Sequence, residues 1–289
     1  MKITVGTRGS KLALAQASKV IEGLKKEGFD VRLRIIKTTG DIKKDRPLYE
    51  FKGVGAFVQS LDLALAKGIV DIAVHSYKDV PSKRIEGTVI AAVLKRDSPR
   101  DALISRDGRT LSELSPNSII GTSSLRRRAQ FRRLRGDLKF TNIRGNLDTR
   151  IKKLKRGMYD AIIVAEAGLT RLGLDKKVKY QSFPPHLIVP SPNQGIIAIA
   201  TRKGEEDLVS FLNDQKTWLE AKIERTVTKE LGLGCTIPIG AYAEAKREVR
   251  LIFEVFAKKY IRIDECLPIN TAIEDAFEIA RNVKSDLYG

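Results

Sequence analysis

Cys235 stands in the run Gly232-Leu233-Gly234-Cys235-Thr236-Ile237-Pro238-Ile239-Gly240, where glycines and a proline suppress regular structure around one of only two cysteines in the chain. A thiol becomes a covalent handle only as an accessible thiolate, and glycines on its N-terminal side leave room for a bulky group at the sulfur. Taken alone, the same residue reads more readily as a small buried apolar side chain in a turn. A second chemical cluster is His75-Ser76-Tyr77-Lys78-Asp79-Val80-Pro81. It directly follows an apolar run that suits a buried strand, so its polar residues fall at a strand's C-terminal end, where open α/β sheets bind ligands. Asp79 beside Lys78 is either a surface ion pair or a carboxylate able to stabilise a cation and move protons.

The third cluster is basic. Residues 124–156 carry thirteen Lys and Arg against Asp137 and Asp148, so about +11 of a formal net charge of +18 sits in 33 residues. Such a charge implies nucleic acid or a polyanionic small molecule among the partners. Leu125, Phe131, Leu134, Phe140, Ile143, Leu147, Ile151 and Leu154 interrupt the run at spacings that suit helix, strand and helix. The segment is therefore expected to fold with its arginines displayed.

Alternating elements hold these clusters. Residues 2–5 read as a strand, Ser10 as the N-cap of a helix ending near Gly28 with Ala13, Ala17, Val20 and Leu24 inward, residues 31–37 as a strand, 56–67 as a helix and 69–74 as a buried strand. That succession argues for α/β units. The pattern then recurs: Gly6-Thr7-Arg8-Gly9-Ser10 is echoed by Gly121-Thr122-Ser123-Ser124, and Gly68-Ile69-Val70-Asp71 by Gly157-Met158-Tyr159-Asp160. Two echoes in the same order predict two similar lobes facing each other across a cleft, each offering a helix N-terminus to anions. A strand near 195–200, helices over 205–212 and 219–231, strands at 240–245, 249–257 and 260–265, and an amphipathic helix with Ile273, Ala276, Phe277, Ala280 and Val283 inward complete the reading.

At 289 residues and 42% hydrophobic, the chain is expected to make two or three globular domains. No apolar run is long enough to cross a bilayer and residues 1–5 do not read as a signal segment, so a cytoplasmic location is expected. Cys235 and Cys266 give no disulfide framework, and His75 and His186 have no zinc-site spacing, so no metal is expected.

The 75–81 motif, Gly121-Thr122-Ser123-Ser124-Leu125-Arg126-Arg127, Arg144-Gly145-Asn146 with Thr149-Arg150, and Gly234-Cys235 with Pro238-Ile239-Gly240 resemble the porphobilinogen deaminase (hydroxymethylbilane synthase) family. With Thr7-Arg8 and Gln194-Gly195 they span almost the whole chain in the family's order. The resemblance implies an α/β protein with two type II periplasmic-binding-protein-like lobes around a cleft plus a smaller C-terminal α+β domain. The chain would leave the first lobe, build the second and return, giving domains at 1–95 with 194–214, 96–193 and 215–289.

The same resemblance implies a cytoplasmic, monomeric enzyme with neither nucleic acid nor membrane as partner. It would join four porphobilinogen units head to tail, with loss of ammonia, on a dipyrromethane cofactor in thioether linkage to Cys235. Asp79 would be the catalytic carboxylate. Arg8, Ser10, Lys78, Ser124, Arg126, Arg127, Arg144, Arg150 and Arg171 would bind acetate and propionate groups of cofactor and substrate. Phe57, Ser76, Thr122, Gly145 and Gln194 would complete the cleft, with Lys52 replacing a cofactor-contacting lysine where this chain has Glu50. Arg128, Arg132, Arg133 and Arg135 have no individual assignment, and most of them read as a solvated helix face. Two rival readings stay open on the residues alone: a nucleic-acid-binding protein using 124–156, and a noncatalytic two-lobed anion binder with Cys235 unmodified.

Overall fold

The computed structural model describes residues 1–37, 56–232 and 237–288. In chain order, β1 (Lys2–Thr7), α1 (Lys11–Lys26), β2 (Asp30–Ile35), α2 (Ala56–Ala66), β3 (Ile72–Ser76), a 3-10 turn at Tyr77–Asp79 and β4 (Thr88–Val93) come first. Next are β5 (Asp101–Ser105), β6 (Ile119–Gly121), α3 (Leu125–Leu134), β7 (Lys139–Thr141), α4 (Leu147–Lys155), β8 (Ala161–Ala165), α5 (Glu166–Arg171) and β9 (Gln181–Phe183). The chain ends with β10 (Ile197–Arg202), α6 (Gln215–Leu231), β11 (Ile239–Ala245), β12 (Glu248–Phe256), β13 (Tyr260–Pro268) and α7 (Ala272–Tyr288). Two compact units result, Met1–Asp97 with Gly195–Ala221, and Ser98–Gln194 with Lys222–Gly289, so the last of the three boundaries falls inside α6.

Each unit holds a five-stranded sheet of the same plan. In the first the order is β2-β1-β3-β10-β4, with β2, β1 and β3 parallel and β10 antiparallel to both of its neighbours. In the second it is β7-β6-β8-β5-β9, again three parallel strands followed by a reversed one. The reversed strand of the first sheet, β10, comes after the whole second sheet in sequence. That of the second, β5, comes before the rest of its own.

The predicted repeat extends to side chains. Gly6 pairs with Ala73 and Gly121 with Ile162. Asp71 accepts the Thr4 N–H at 2.8 Å and faces Arg202 at 3.3 Å, while Asp160 accepts the Ile119 N–H at 2.8 Å and faces Arg106 at 3.6 Å. Glycine opens both Gly-Thr motifs for one reason: a Cβ at Gly6 would lie 2.9 Å from Leu61 Cδ1, and one at Gly121 would lie 2.9 Å from Tyr159 Cδ1.

Helix α1 begins where Ser10 Oγ accepts the Ala13 N–H at 3.2 Å, and it buries Ala13, Gln16, Ala17, Val20 and Leu24. Of these, Ala17, Val20 and Leu24 pack with Ile3, Val5, Ile72 and Val74 on one face of the first sheet, while Leu61, Leu65 and Val70 cover the other. In the second unit Phe131 and Phe183 meet edge to face at 4.9 Å over Leu103 and Ile120. The same unit contains the antiparallel sheet β11-β12-β13, and α7 buries Ala272, Ala276, Ala280 and Val283.

Three expectations change. Residues 205–212 form two 3-10 turns, Glu206–Leu208 and Ser210–Leu212, because Val209 between them leaves helical φ at −133° and is fully buried in the sheet core. Phe277, expected inward, is 38% exposed, since the small residues of α7 make the buried stripe. The last strand, β13, runs longer than the expected 260–265 and reaches Pro268. Among the described residues no helix is long and apolar enough to cross a membrane.

Candidate active site

In the first unit β1 and β3 are parallel, so both release the chain at the same sheet edge. After β1 come half-buried Arg8 and Ser10, and after β3 comes the 75–81 motif. Its turn has a simple physical design. Tyr77 and Val80 are buried, the Tyr77 N–H donates to Ile196 O at 3.0 Å, and the Val80 N–H closes back on Tyr77 O at 3.0 Å. Lys78 and Asp79, held between these two anchors, are exposed. Ser76 bonds the Gln16 side chain at 2.8 Å, tying the strand end to α1.

In the second unit the parallel strands β6, β7 and β8 likewise open at one edge. Thr122 Oγ1 accepts the Ser124 N–H at 3.2 Å, and Ser124 Oγ caps α3 by accepting the Arg127 N–H at 3.3 Å. After β7, Gly145 adopts φ +110°, a region closed to ordinary side chains. Its carbonyl accepts Arg150 Nε at 2.8 Å, and the neighbouring Arg144 carbonyl accepts Lys153 Nζ at 3.1 Å. Half-buried Arg171 ends α5. Thus Thr122, Ser124, Arg144, Gly145, Arg150 and the β8–α5 junction share one edge, as Arg8, Ser10, Ser76, Lys78 and Asp79 do in the first unit.

Arg126 and Arg127, expected to bind carboxylates, already hold one belonging to the chain, that of Asp101. Both are buried: Arg126 donates to Val189 O at 2.8 Å and meets Asp101 at 2.8 Å, while Arg127 grips Asp101 at 2.7 Å and donates to Ile163 O at 3.0 Å. Burial alone would raise the Asp101 carboxyl, but the two guanidiniums, with Gln194, hold it far below the usual carboxylate range. Burial lowers Arg126 from its ordinary value against the pull of Asp101. Gln194, buried, donates to Asp101 at 2.8 Å and to Pro99 O at 2.7 Å. These residues support the edge from beneath. Sequence reasoning missed Asp101, although an acid opening the apolar strand Asp101-Ala102-Leu103-Ile104 was the available signal.

The remaining arginines are also engaged. Arg128 donates to Thr122 O at 3.0 Å, Arg135 to Leu111 O at 2.7 Å and Leu114 O at 2.9 Å, and Arg133 lies 3.8 Å from the Tyr260 ring centroid. Arg128 and Arg135 thus brace the second unit, whereas Arg132 and Arg133 are exposed, as a solvated helix face has them. Cys235 and Lys52 lie outside the described residues, as does the side chain of Phe57.

Two family models match the chain: "Porphobilinogen deaminase, dipyromethane cofactor binding domain" over residues 3–210 and "Porphobilinogen deaminase, C-terminal domain" over 218–289. The chain belongs to the porphobilinogen deaminase family. A probable porphobilinogen deaminase of Archaeoglobus fulgidus is 67% identical over 289 residues, covering 100% of both chains. Another, from Methanocella arvoryzae, is 46% identical over 96% of this chain and 93% of its own length. Among solved structures, the probable amino-acid ABC transporter extracellular-binding protein YtmK of Bacillus subtilis aligns with a TM-score of 0.46 at 13% identity, over 73% of this chain and 90% of that one. Residues 3–210 of this porphobilinogen deaminase family member are thus its dipyrromethane-binding portion. In each unit by itself, the partly exposed donors at the strand ends suit carboxylates, because arginine forks and serine hydroxyls match acetate and propionate oxygens.

Proposed function

We propose that this chain is a hydroxymethylbilane synthase, a transferase that joins four porphobilinogen units head to tail with release of ammonia, in the cytoplasm and as a monomer. The observation that carries the proposal is the match of both family models, across 3–210 and 218–289, to a chain whose Lys78-Asp79 pair is exposed at a sheet edge between buried Tyr77 and Val80. When bound through Cys235, dipyrromethane supplies the free pyrrole carbon on which chain growth begins.

Each other role belongs to the residues. Asp79 accepts the pyrrole N–H of porphobilinogen and stabilises the positive charge that develops as ammonia leaves. It then takes up the ring proton released when the new carbon–carbon bond forms and the pyrrole regains aromaticity. Arg8, Ser10 and Lys78 in the first unit, and Ser124, Arg144, Arg150 and Arg171 in the second, bind the acetates and propionates. Two acids per ring would crowd about twelve carboxylates on primer plus four units, and such repulsion requires matching cations. Arg126 and Arg127 contribute through Asp101, by fixing the start of α3. A division into domains at 1–95 with 194–214, 96–193 and 215–289 belongs to the same proposal.

The intact mass of the purified protein, followed by peptide mapping, tests the reading. A dipyrromethane adduct on the peptide containing Cys235 is the expected result. A Cys235 that stays unmodified after incubation with porphobilinogen would leave a polyanion-binding protein instead.

A further inference from the structure

Asp62 on α2 is 1% exposed, and two cationic or hydrogen-bonding side chains converge on it from β3 and from the segment before β4. His75 Nε2 lies 3.0 Å from Asp62 Oδ1, with the two side chains 4% and 2% exposed. Arg84 approaches in a fork, Nη2 at 2.7 Å from Oδ1 and Nε at 3.1 Å from Oδ2. Neither Asp62 nor Arg84 belongs to a sequence motif noted above, and neither stands at the sheet edge with Asp79.

The sequence positions give this cluster its meaning. His75 is the last residue but one of β3, and Arg84 lies just beyond Pro81, so one buried carboxylate holds both the entry to and the exit from the segment that presents Lys78 and Asp79. We infer that Asp62 is a positioning residue for Asp79, clamping the turn at His75 on one side and at Arg84 on the other. The inference rests on the reading of Asp79 as the catalytic carboxylate.

The physical argument concerns where freedom remains in the turn. Its middle is pinned by Tyr77 and Val80 through packing and main-chain bonds, and its entry by the pairing of His75 with Ala198 of β10. The exit from residue 81 to residue 84 lies outside any strand or helix, and the Arg84 fork onto Asp62 binds it to α2. A bidentate guanidinium–carboxylate pair fixes direction as well as distance. Burial raises the Asp62 carboxyl, but His75 and Arg84 outweigh it and hold the group below its ordinary value, in keeping with a charged acceptor at the centre of the clamp. Loosening the exit lets the Asp79 carboxylate wander from the reacting ring, and a misplacement of about 1 Å can cost on the order of a hundredfold in rate.

The test uses the full-length, primer-loaded protein and four variants: Arg84→Met, Arg84→Lys, Asp62→Asn and Asp79→Asn. Arg84→Met is expected to keep its dipyrromethane adduct by mass and to change KM by less than about twofold, while kcat falls about tenfold or more. Arg84→Lys, which restores charge without the fork, is expected to recover part of that loss, and folded Asp62→Asn to match or exceed it. If Asp62→Asn does not fold, the two Arg84 variants decide. The clamp is overturned by Arg84→Met at the parental kcat, by a loss that Arg84→Lys leaves unchanged, or by a loss that merely tracks the unfolded fraction in urea. An inactive Asp79→Asn beside a fully active Arg84→Met sinks the clamp alone, whereas a fully active Asp79→Asn removes the reading of Asp79 and the clamp with it.

Discussion

Gln194 donates its side-chain amide to Asp101 at 2.8 Å, joining two residues 93 positions apart in sequence. Both flank the points where the chain passes from one compact unit to the other, after Asp97 and before Gly195. The same Gln194 nitrogen reaches Pro99 O at 2.7 Å, so the outgoing and returning strands of chain are fastened to each other within the second unit. Arg126 and Arg127 complete the fastening and extend it to α3.

Asp101→Asn should therefore destabilise the protein severely. It leaves two buried guanidiniums facing a neutral amide, and breaking a buried charge group by removing one partner costs about 3–5 kcal/mol. Urea unfolding of the variant and parent measures this. A loss below about 1 kcal/mol would show that the cluster is poorly coupled to folding.

The pH dependence has a definite sign. Asp101 is held below its ordinary value of 3.8, so its contribution to stability is fully present above that pH and drains as pH falls toward the depressed folded-state value. The parent should lose stability on acidification below about pH 4, and Asp101→Asn should show a shallower slope there. Equal slopes in the two proteins would remove Asp101 as a source of acid sensitivity.

Asp79→Asn should leave folding unchanged, since Asp79 is exposed, and lower turnover of porphobilinogen by at least about a hundredfold, the scale of lost charge stabilisation and proton transfer. Discontinuous product assays with matched thermal melts check both parts. A variant with near-parental turnover would return the 75–81 motif to a simple surface ion pair.

Gly145→Ala strains the backbone at φ +110° and brings a Cβ within 2.7 Å of Thr149 Cγ2. The local cost is about 1–3 kcal/mol, falling on the loop between Arg144 and Arg150. If those arginines bind substrate carboxylates, KM should rise more than kcat falls. A pure stability loss at unchanged KM would assign the glycine to folding only.

Ser10→Ala and Ser124→Ala should cost similar amounts, about 1 kcal/mol each, because each serine caps the first helix of its own repeat with a single side-chain bond. Thermal unfolding of the two variants compares them. A several-fold difference would mean that the repeats are alike in path but not in energetics.

Much of this architecture was legible in local pattern. Ser10 announced α1 and its stripe Ala13, Ala17, Val20 and Leu24 because helical period and capping act within a few residues. The paired Gly-Thr and Gly-x-x-Asp motifs announced the two lobes, since Gly6 with Gly121 and Asp71 with Asp160 meet the same steric and hydrogen-bonding needs. Exposure of Lys78 and Asp79 followed from their place beyond an apolar strand. Burial of Arg126 and Arg127 was not legible, because their partner Asp101 lies about 25 residues away and nothing local distinguishes an arginine aimed inward from one aimed out. Phe277 misled for a similar reason: its helical spacing fitted the inner face, but Ala276 and Ala280 take the contact.

By itself, then, the sequence determined most of the elements, their twofold recurrence and the motifs by which the family is recognised, all properties of short-range spacing and residue chemistry. Tertiary structure alone decided which charges are internal. Asp101 gathers Arg126, Arg127 and Gln194, and Asp62 gathers His75 and Arg84, because desolvated charges must find partners wherever the fold brings them, whatever their separation along the chain.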